Sequence, residues 1–321
     1  IIVKKRQTFL GYLPVEIGRG STGTVYKATL RMNNKNSPDG EYIDVAVKLM
    51  DKALANEKMK ADFIREVGIL TELSHPCIVQ FLGAYWPRTS SVGSVAIVEE
   101  GNMADSGPMV VTELMTGSVS SLRKARRLLS RNEELKILLD VAEGLQYLHE
   151  ERIAHMDIKP ENVLVRLDNE GRIDGHAKLA DFGASRKKRD TASLSQSTVA
   201  VGGTLLYMAP EAMRNNAKAR FACDVWSFGV LMCYLLLPPE TAHELFTVTD
   251  EQISLAVHDG TWHDRLLNYA SVIDDDSLRQ MAISCLSVIA DDRPQSRDVR
   301  TTFAATSCGC GGLWASRAHG R

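Results

Sequence analysis

The sequence lacks an excess of charge of either sign, and it lacks a long apolar run. Lys and Arg number 38 against 40 Asp and Glu, a net charge of −2 with His neutral. General nucleic-acid and anionic-membrane binders carry a basic excess, so we expect neither partner. The most apolar run, Val225 to Leu237, is followed by two prolines. It is too short to span a bilayer, and it predicts a buried core helix.

Close-spaced cysteines are nearly absent. Four of the six cysteines stand singly in apolar stretches, which is typical of small buried side chains. Only Cys308 and Cys310 are close, with no second Cys/His pair nearby, so no zinc site is expected. This usage indicates a reducing compartment, with a cytoplasmic location expected. The chain begins with Ile1 rather than Met, and we expect a fragment of a longer protein whose upstream part could hold a membrane anchor.

Strand-like patterns fill the first third of the chain, and helical spacing fills the rest. The strand patterns cover residues 13–30, 42–50, 78–86 and 109–114, and the helical patterns cover 56–73, 132–150, 222–237, 249–259 and 276–290. This order predicts an α+β protein of two lobes with a cleft between them. We expect a lead-in at 1–12, a surface loop at 87–108 and a disordered tail at 304–321.

Three glycines, Gly18, Gly20 and Gly23, follow the G-x-G-x-x-G spacing. Dinucleotide sites share this spacing, but there a helix follows the last glycine. Here residues 25–28 have a strand pattern instead. A glycine hairpin can lie over phosphates because no Cβ blocks the approach to its N–H groups. A plain hairpin turn is the alternative.

Two further segments carry charged residues in apolar surroundings. Lys48 ends an apolar strand, and Glu66 lies on the buried side of the next predicted helix. A buried ammonium group needs an acidic partner or a phosphate, so the two are candidates for an ion pair. A lysine with only its stem buried is the alternative.

A polar loop and a strand end supply the groups that phosphoryl transfer requires. Asp157, Lys159 and Asn162 fall within six residues, and Asp181 begins a D-F-G sequence after an apolar strand. An Asp can accept the proton of an attacking hydroxyl, a Lys can offset charge, and Asn and Asp oxygens suit Mg²⁺.

These motifs continue with Ala209-Pro210-Glu211, the run 224–229 and Asp292-Arg293-Pro294. The motifs occur in the order found in the eukaryotic protein kinases, and across about residues 13–303 the chain resembles that family. The stretch 77–83 is similar to that of the tyrosine-kinase-like group. The resemblance implies the bilobal protein-kinase fold, with a small β-rich N-lobe at 13–114 bearing one main helix and a larger helical C-lobe at 117–303. It also implies ATP and Mg²⁺ as cofactors and proteins as substrates.

The resemblance assigns roles to individual residues. The catalytic set is Asp157, Lys159, Asn162, Lys48, Glu66 and Thr204, and the metal ligands are Asn162 and Asp181. The ATP-binding set is Ile17, Gly18, Gly20, Gly23, Val25, Ala46, Lys48, Glu113, Met115 and Leu164. The family also implies that Glu211 pairs with Arg293 and that Asp224 holds the catalytic loop.

Lys159 and Thr204 match the pattern of serine/threonine kinases, so Ser/Thr hydroxyls are the expected acceptors, with tyrosine or dual specificity as the alternative. A pseudokinase scaffold is a second alternative, which the presence of every reacting group disfavours. A small-molecule kinase is disfavoured by residues 203–211, which resemble a peptide-binding element.

One position departs from the family. Most members have Arg before the catalytic Asp, where it meets a phosphate on the activation segment. Here the residue is Met156. We therefore expect activity to depend only weakly on phosphorylation of the hydroxyls between residues 183 and 209. The alternative is that Arg186 or Lys187 binds the phosphate instead.

Overall fold

A computed structural model describes residues 2–3, 7–9, 15–20, 23–32, 41–50, 57–86, 107–187, 205–213 and 220–307. The chain divides into two compact units, residues 1–116 and 117–321. The first is mostly β and the second mostly helical, which confirms the α+β class. Thr204 lies outside the described residues, as do most of the loop expected at 87–108 and most of the tail expected at 304–321.

The described residues of the first unit form a seven-stranded antiparallel sheet and one helix. The sheet order is β1-β6-β7-β5-β4-β2, and β3 also pairs with β4. The elements are β1 (Ile2–Val3), β2 (Gln7–Phe9), β3 (Val15–Gly20), β4 (Gly23–Met32), β5 (Glu41–Met50), α1 (Glu57–Glu72), β6 (Phe81–Tyr85) and β7 (Met109–Glu113). Val45 and Val47 alternate into a core with Leu30 and Val111. Ala46 and Lys48 are therefore on the opposite face of β5.

The second unit is built around α5 and α3. Its helices are α2 (Val119–Lys124), α3 (Arg131–Glu150), α4 (Pro210–Met213), α5 (Arg220–Leu236), α6 (Pro239–Phe246), α7 (Asp250–His258), α8 (Trp262–Ala270), α9 (Asp276–Cys285) and α10 (Ser296–Ser307). Its strands are β8 (Gly117–Ser118), β9 (Ile153–Ala154), β10 (Val163–Leu167), β11 (Ile173–Leu179) and β12 (Arg186–Lys187). Strands β11, β10 and β8 form one sheet, and β12 pairs with β9.

Helix α3, predicted from the spacing at 132–150, begins at a reciprocal cap. Ser130 caps the helix, and the Glu133 side chain accepts a hydrogen bond from the Ser130 N–H in return. This reciprocal capping satisfies two N–H groups that the helix leaves unpaired. The apolar run predicted as a core helix is α5, which is buried from Cys223 to its end.

The isolated cysteines are buried, as their apolar surroundings predicted. Burial raises the pKa of Cys233 to about 12, so this thiol stays protonated at neutral pH. Among the helices of the described residues, none combines the length and apolar character needed to cross a bilayer.

Candidate active site

The glycine-rich segment is a hairpin of β3 and β4, as predicted, with Gly20 opposite Gly23. A Cβ at Gly23 would lie 2.2 Å from the Leu49 carbonyl oxygen, so the packing of β4 on β5 requires glycine there. At Gly18 a Cβ would meet nothing within 4 Å, and at Gly20 the nearest atom would be 3.9 Å away. Neither residue has a positive φ of the kind that favours glycine. Packing therefore explains Gly23 but not Gly18 or Gly20, whose phosphate-binding role stays a prediction.

Lys48 and Glu66 form the expected pair. Lys48 Nζ lies 3.6 Å from Glu66 Oε1, and the side chains are 16% and 5% exposed. On β5, Lys48 is opposite Val25 of β4 and Val110 of β7. Lys48 therefore lies within the sheet, which argues against the alternative of a lysine with only its stem buried. Its charge is instead compensated by a buried carboxylate.

Several residues expected around adenine are neighbours within the first unit. Ala46 is opposite Thr112 across β5 and β7. Glu113 is fixed in place because its N–H donates to the Gln80 carbonyl at 3.0 Å and its carboxylate accepts the Gln80 N–H at 2.8 Å. Leu164 lies in the second unit, on β10. The adenine-binding roles of these residues and of Ile17, Val25 and Met115 stay predictions.

The polar loop of the second unit brings Asp157, Lys159 and Asn162 together. Lys159 Nζ lies 3.0 Å from Asp157 Oδ1 and 2.8 Å from Oδ2. The Asn162 amide donates to Asp157 Oδ2 and to the Asp157 carbonyl, both at 2.8 Å. Lys159 thus sits where it can offset negative charge beside the carboxylate, and Asn162 fixes the carboxylate in orientation.

Asp224 of α5 holds this loop through hydrogen bonds, as the family resemblance implied. The fully buried carboxylate accepts the N–H of His155 at 2.8 Å and of Met156 at 2.7 Å. A third partner, which no sequence motif indicated, is His149, whose Nε2 lies 3.0 Å from Asp224 Oδ2. His149 lies in the last turn of α3, and no local motif distinguishes it from other histidines.

His155 connects the loop to the end of β11. Its Nδ1 accepts the N–H of Asp157 at 3.3 Å, and its Nε2 lies 3.1 Å from the Ala180 carbonyl oxygen. A ring nitrogen that accepts an N–H bears no proton, so the proton is on Nε2, which donates to Ala180. The Ala180 N–H donates in turn to the Asn162 carbonyl at 2.9 Å. Ala180 is thus hydrogen-bonded to the loop through both His155 and Asn162. These contacts fix the position of Asp181, the next residue.

Asn162 and Asp181 fit a hard cation in their chemistry. The Asn162 amide nitrogen is used by Asp157, which leaves its side-chain oxygen as the group available to a metal. Asp181 is exposed and has a left-handed backbone with φ +61°. Carboxylate and amide oxygens are the donors that Mg²⁺ prefers.

Glu211 and Arg293 form the expected ion pair. Arg293 donates to the Glu211 carboxylate through two nitrogens, at 2.7 and 2.9 Å, and to the carbonyls of Ala222 and Ser287. Burial alone would raise the pKa of Glu211, but hydrogen bonds from Arg293 and its charge outweigh burial, and the pKa is lowered. The pair connects α4 to the segment before α10.

Ser185 and Arg186, at the start of the activation segment, are both buried, and their side chains donate to backbone carbonyls. Ser185 is fully buried, and its hydroxyl donates to the His155 carbonyl at 3.1 Å, so it is not an accessible acceptor. Arg186 is 9% exposed, and one guanidinium nitrogen donates to the carbonyls of Ala184 and Ser185, both at 2.9 Å. The acceptors expected at Thr191, Ser193, Ser195, Ser197 and Thr198 lie outside the described residues.

Comparison with known families gives a direct match. The family model of the protein kinase domain matches residues 13–302. This chain belongs to the protein kinase family. The fold and family implied by the sequence motifs are thereby confirmed.

Relatives of this kinase domain come from animals, plants and amoebae. Serine/threonine-protein kinase TNNI3K of Mus musculus is 33% identical over 227 residues, 68% of this chain and 23% of that protein. LRR receptor-like serine/threonine-protein kinase RGI1 of Arabidopsis thaliana is 30% identical over 309 residues, 89% of this chain and 24% of that protein. Dual specificity protein kinase shkA of Dictyostelium discoideum is 33% identical over 240 residues, 73% of this chain and 38% of that protein. The chain thus spans between about a quarter and two fifths of these proteins.

Proposed function

We propose that the chain is an ATP-dependent protein serine/threonine kinase that transfers the γ-phosphate of Mg·ATP to Ser and Thr hydroxyls of proteins. The observation that carries this proposal is the hydrogen-bonded set of Asp157, Lys159 and Asn162 on a loop anchored by Asp224. A scaffold that only binds a partner has no need of a lysine and an amide that both orient one carboxylate.

Asp157 acts on the acceptor hydroxyl. Its carboxylate orients the hydroxyl and accepts the proton as the oxygen bonds to the γ-phosphorus and the bond to the β-phosphate oxygen breaks. Lys159, at 2.8 Å from Asp157 Oδ2, offsets the negative charge of the moving phosphoryl group. Its position two residues after Asp157 also supports Ser and Thr over Tyr as acceptors.

The other residues of the predicted site bind and orient the nucleotide. Asn162 and Asp181 would hold Mg²⁺, which would neutralise the negative charge of the phosphates when bound. Lys48, held by Glu66, contacts the phosphates, and the N–H groups of the hairpin at Gly18 and Gly20 cover them. The unexplained glycines of this hairpin support a phosphate ligand at that place.

We further propose a cytosolic site of action, as a separate protein or as the cytosolic part of a longer, membrane-anchored one. Buried, protonated thiols support a reducing compartment. The name of the receptor-like relative supports the anchored form. Fractionation of cells that express the full-length protein, with and without detergent, would separate the two forms.

The test of the activity is phosphate incorporation from γ-labelled ATP with Mg²⁺ into a generic acceptor such as myelin basic protein. Asp157→Asn is the matched control, because it keeps the size of the side chain and removes the proton acceptor. We expect incorporation at least a hundredfold above this control, with phosphoserine and phosphothreonine as the products. Incorporation equal to the control would favour a binding scaffold, and mainly phosphotyrosine would overturn the acceptor specificity.

A further inference from the structure

Strand β11, which leads to Asp181, contains a bulge. On one side of it Arg166 of β10 is opposite Asp174, and on the other side Leu164 is opposite Lys178. Residues 175–177 of β11 therefore face the single residue 165 of β10. Gly175 has φ +72°, a left-handed conformation that glycine adopts without strain. Bulges bend a strand and change the direction of the residues that follow.

Two side chains of α3 bind the bulge. Lys136 Nζ donates to the Gly175 carbonyl at 2.5 Å, and Asp140 Oδ2 accepts the N–H of Ala177 at 2.9 Å. The two side chains also contact each other, at 2.9 Å. His176, in the middle of the bulge, lies with Nδ1 2.7 Å from Asp140 Oδ1. We call Lys136 and Asp140 the bulge clamp.

Asp140 carries a buried carboxylate that needs hydrogen-bond donors. Its side chain is 5% exposed and lies between the buried residues Ile137 and Val141 on α3. A buried carboxylate costs free energy unless donors compensate it. Here the groups that compensate it include Lys136, the Ala177 N–H and the His176 ring. Two of these three come from the bulge, so the carboxylate fits the bulged form of β11.

The bulge sets the position of Asp181 relative to Asn162. If the pairing of Arg166 with Asp174 continued without a bulge, residue 177 rather than Leu179 would be opposite Val163. Asp181 would then shift by two residues, about 7 Å along the strand. A two-residue shift keeps every side chain on its own face, so the alternation of buried residues in β11 does not exclude it.

We propose that the bulge clamp is a positioning device that fixes the register of β11 and so aligns Asp181 with Asn162 for metal binding. The proposal rests on the proposed kinase function for the role of Asp181. The contacts of Lys136 and Asp140 described above are with each other and with the bulge, not with a reacting group. They act through Gly175 and Ala177, four to six residues before Asp181.

The experiment compares Lys136→Met and Asp140→Asn with Arg131→Met. Arg131 is a matched control because it is equally exposed on α3 and forms its ion pair with Glu134 of the same helix. The first readout is hydrogen exchange of the amides of residues 177–180 without nucleotide. The second is the affinity for Mn²⁺·ATP from water-proton relaxation, which needs no turnover. Thermal melting reports the stability of each variant.

We expect exchange of these amides to accelerate at least tenfold and Mn²⁺·ATP to bind at least threefold more weakly in both clamp variants. Arg131→Met should change either quantity less than twofold, and Lys136→Arg, which keeps a cationic donor, should restore both. Unchanged exchange, or faster exchange with unchanged Mn²⁺·ATP affinity, would overturn the inference. If Asp140→Asn fails to fold, the half-exposed Lys136 variant decides. A wild-type protein without turnover would overturn the proposed function alone, because neither readout depends on catalysis.

Discussion

Met156 donates its backbone N–H to Asp224 Oδ1 at 2.7 Å from a left-handed conformation with φ +67°. The bond uses the main chain, so it does not depend on which side chain precedes Asp157. The loop is held by Asp224 of α5. An apolar side chain at position 156 adds no charge that needs a counter-ion. The anchor of the loop is thus present without a phosphate.

The first prediction concerns phosphorylation of the activation segment. Replacing Ser193, Ser195, Ser197 and Thr198 together with Ala should lower kcat by less than tenfold, which corresponds to about 1.4 kcal/mol. The reason is that Met156 offers no cation for a phosphate to meet. The measurement compares this variant with wild type before and after phosphatase treatment. A larger loss would show that a cation such as Lys187 has replaced the missing arginine.

The second prediction separates the glycines of the hairpin. Gly20→Ala should raise the KM for ATP at least fivefold, because its Cβ would enter the space proposed for the phosphates. Thermal stability should change little, because that Cβ would meet only ordinary contact, 3.9 Å from the Gly23 carbonyl oxygen. Gly23→Ala should instead destabilise the fold by about 2 kcal/mol or more, because its Cβ would overlap the Leu49 carbonyl. Steady-state kinetics and melting of both variants test the contrast. Equal effects on KM and on melting in the two variants would refute it.

Some parts of the site could be predicted from the sequence because local patterns encode them. Spacing identified the glycine hairpin, and charged residues in apolar surroundings identified the pair of Lys48 with Glu66. The bulge at 175–177 was not predictable, since it depends on two side chains of α3 that are about 40 residues away in sequence. The same holds for His149, whose role appears only when α3 packs against α5. Helices α2 and α6 are six and eight residues long, too short for their periodicity to stand out.

The third prediction concerns the charge at Lys48. Lys48→Met should lower kcat/KM about a hundredfold or more, at least ~2.7 kcal/mol, because the phosphates lose a positioned cation. Lys27→Met is the matched control, since Lys27 lies on neighbouring β4 and pairs with Asp44 at 2.6 Å at the surface. Its activity should stay within twofold of wild type. If Lys48→Met keeps most of its activity, another cation contacts the phosphates.

The last prediction is a pH dependence of stability through Glu211. Because the folded pKa of Glu211 lies below its ordinary value of 4.5, the unfolded chain binds its proton first as the pH falls. The contribution of Glu211 is therefore complete above pH 4.5 and is lost as the pH falls through the folded pKa. At pH 7, Glu211→Gln should cost about 3 kcal/mol, since the fully buried Arg293 side chain loses its counter-ion. Urea unfolding should show this difference shrinking below pH 4.5.

Glu134 is the contrasting site, because burial raises its pKa despite the hydrogen bond from Arg131. Its contribution to stability falls as the pH rises through the same range, so the difference between wild type and Glu134→Gln should change with pH in the opposite direction. A Glu211→Gln difference of equal size at pH 7 and below pH 4 would contradict the assigned direction of the pKa shift.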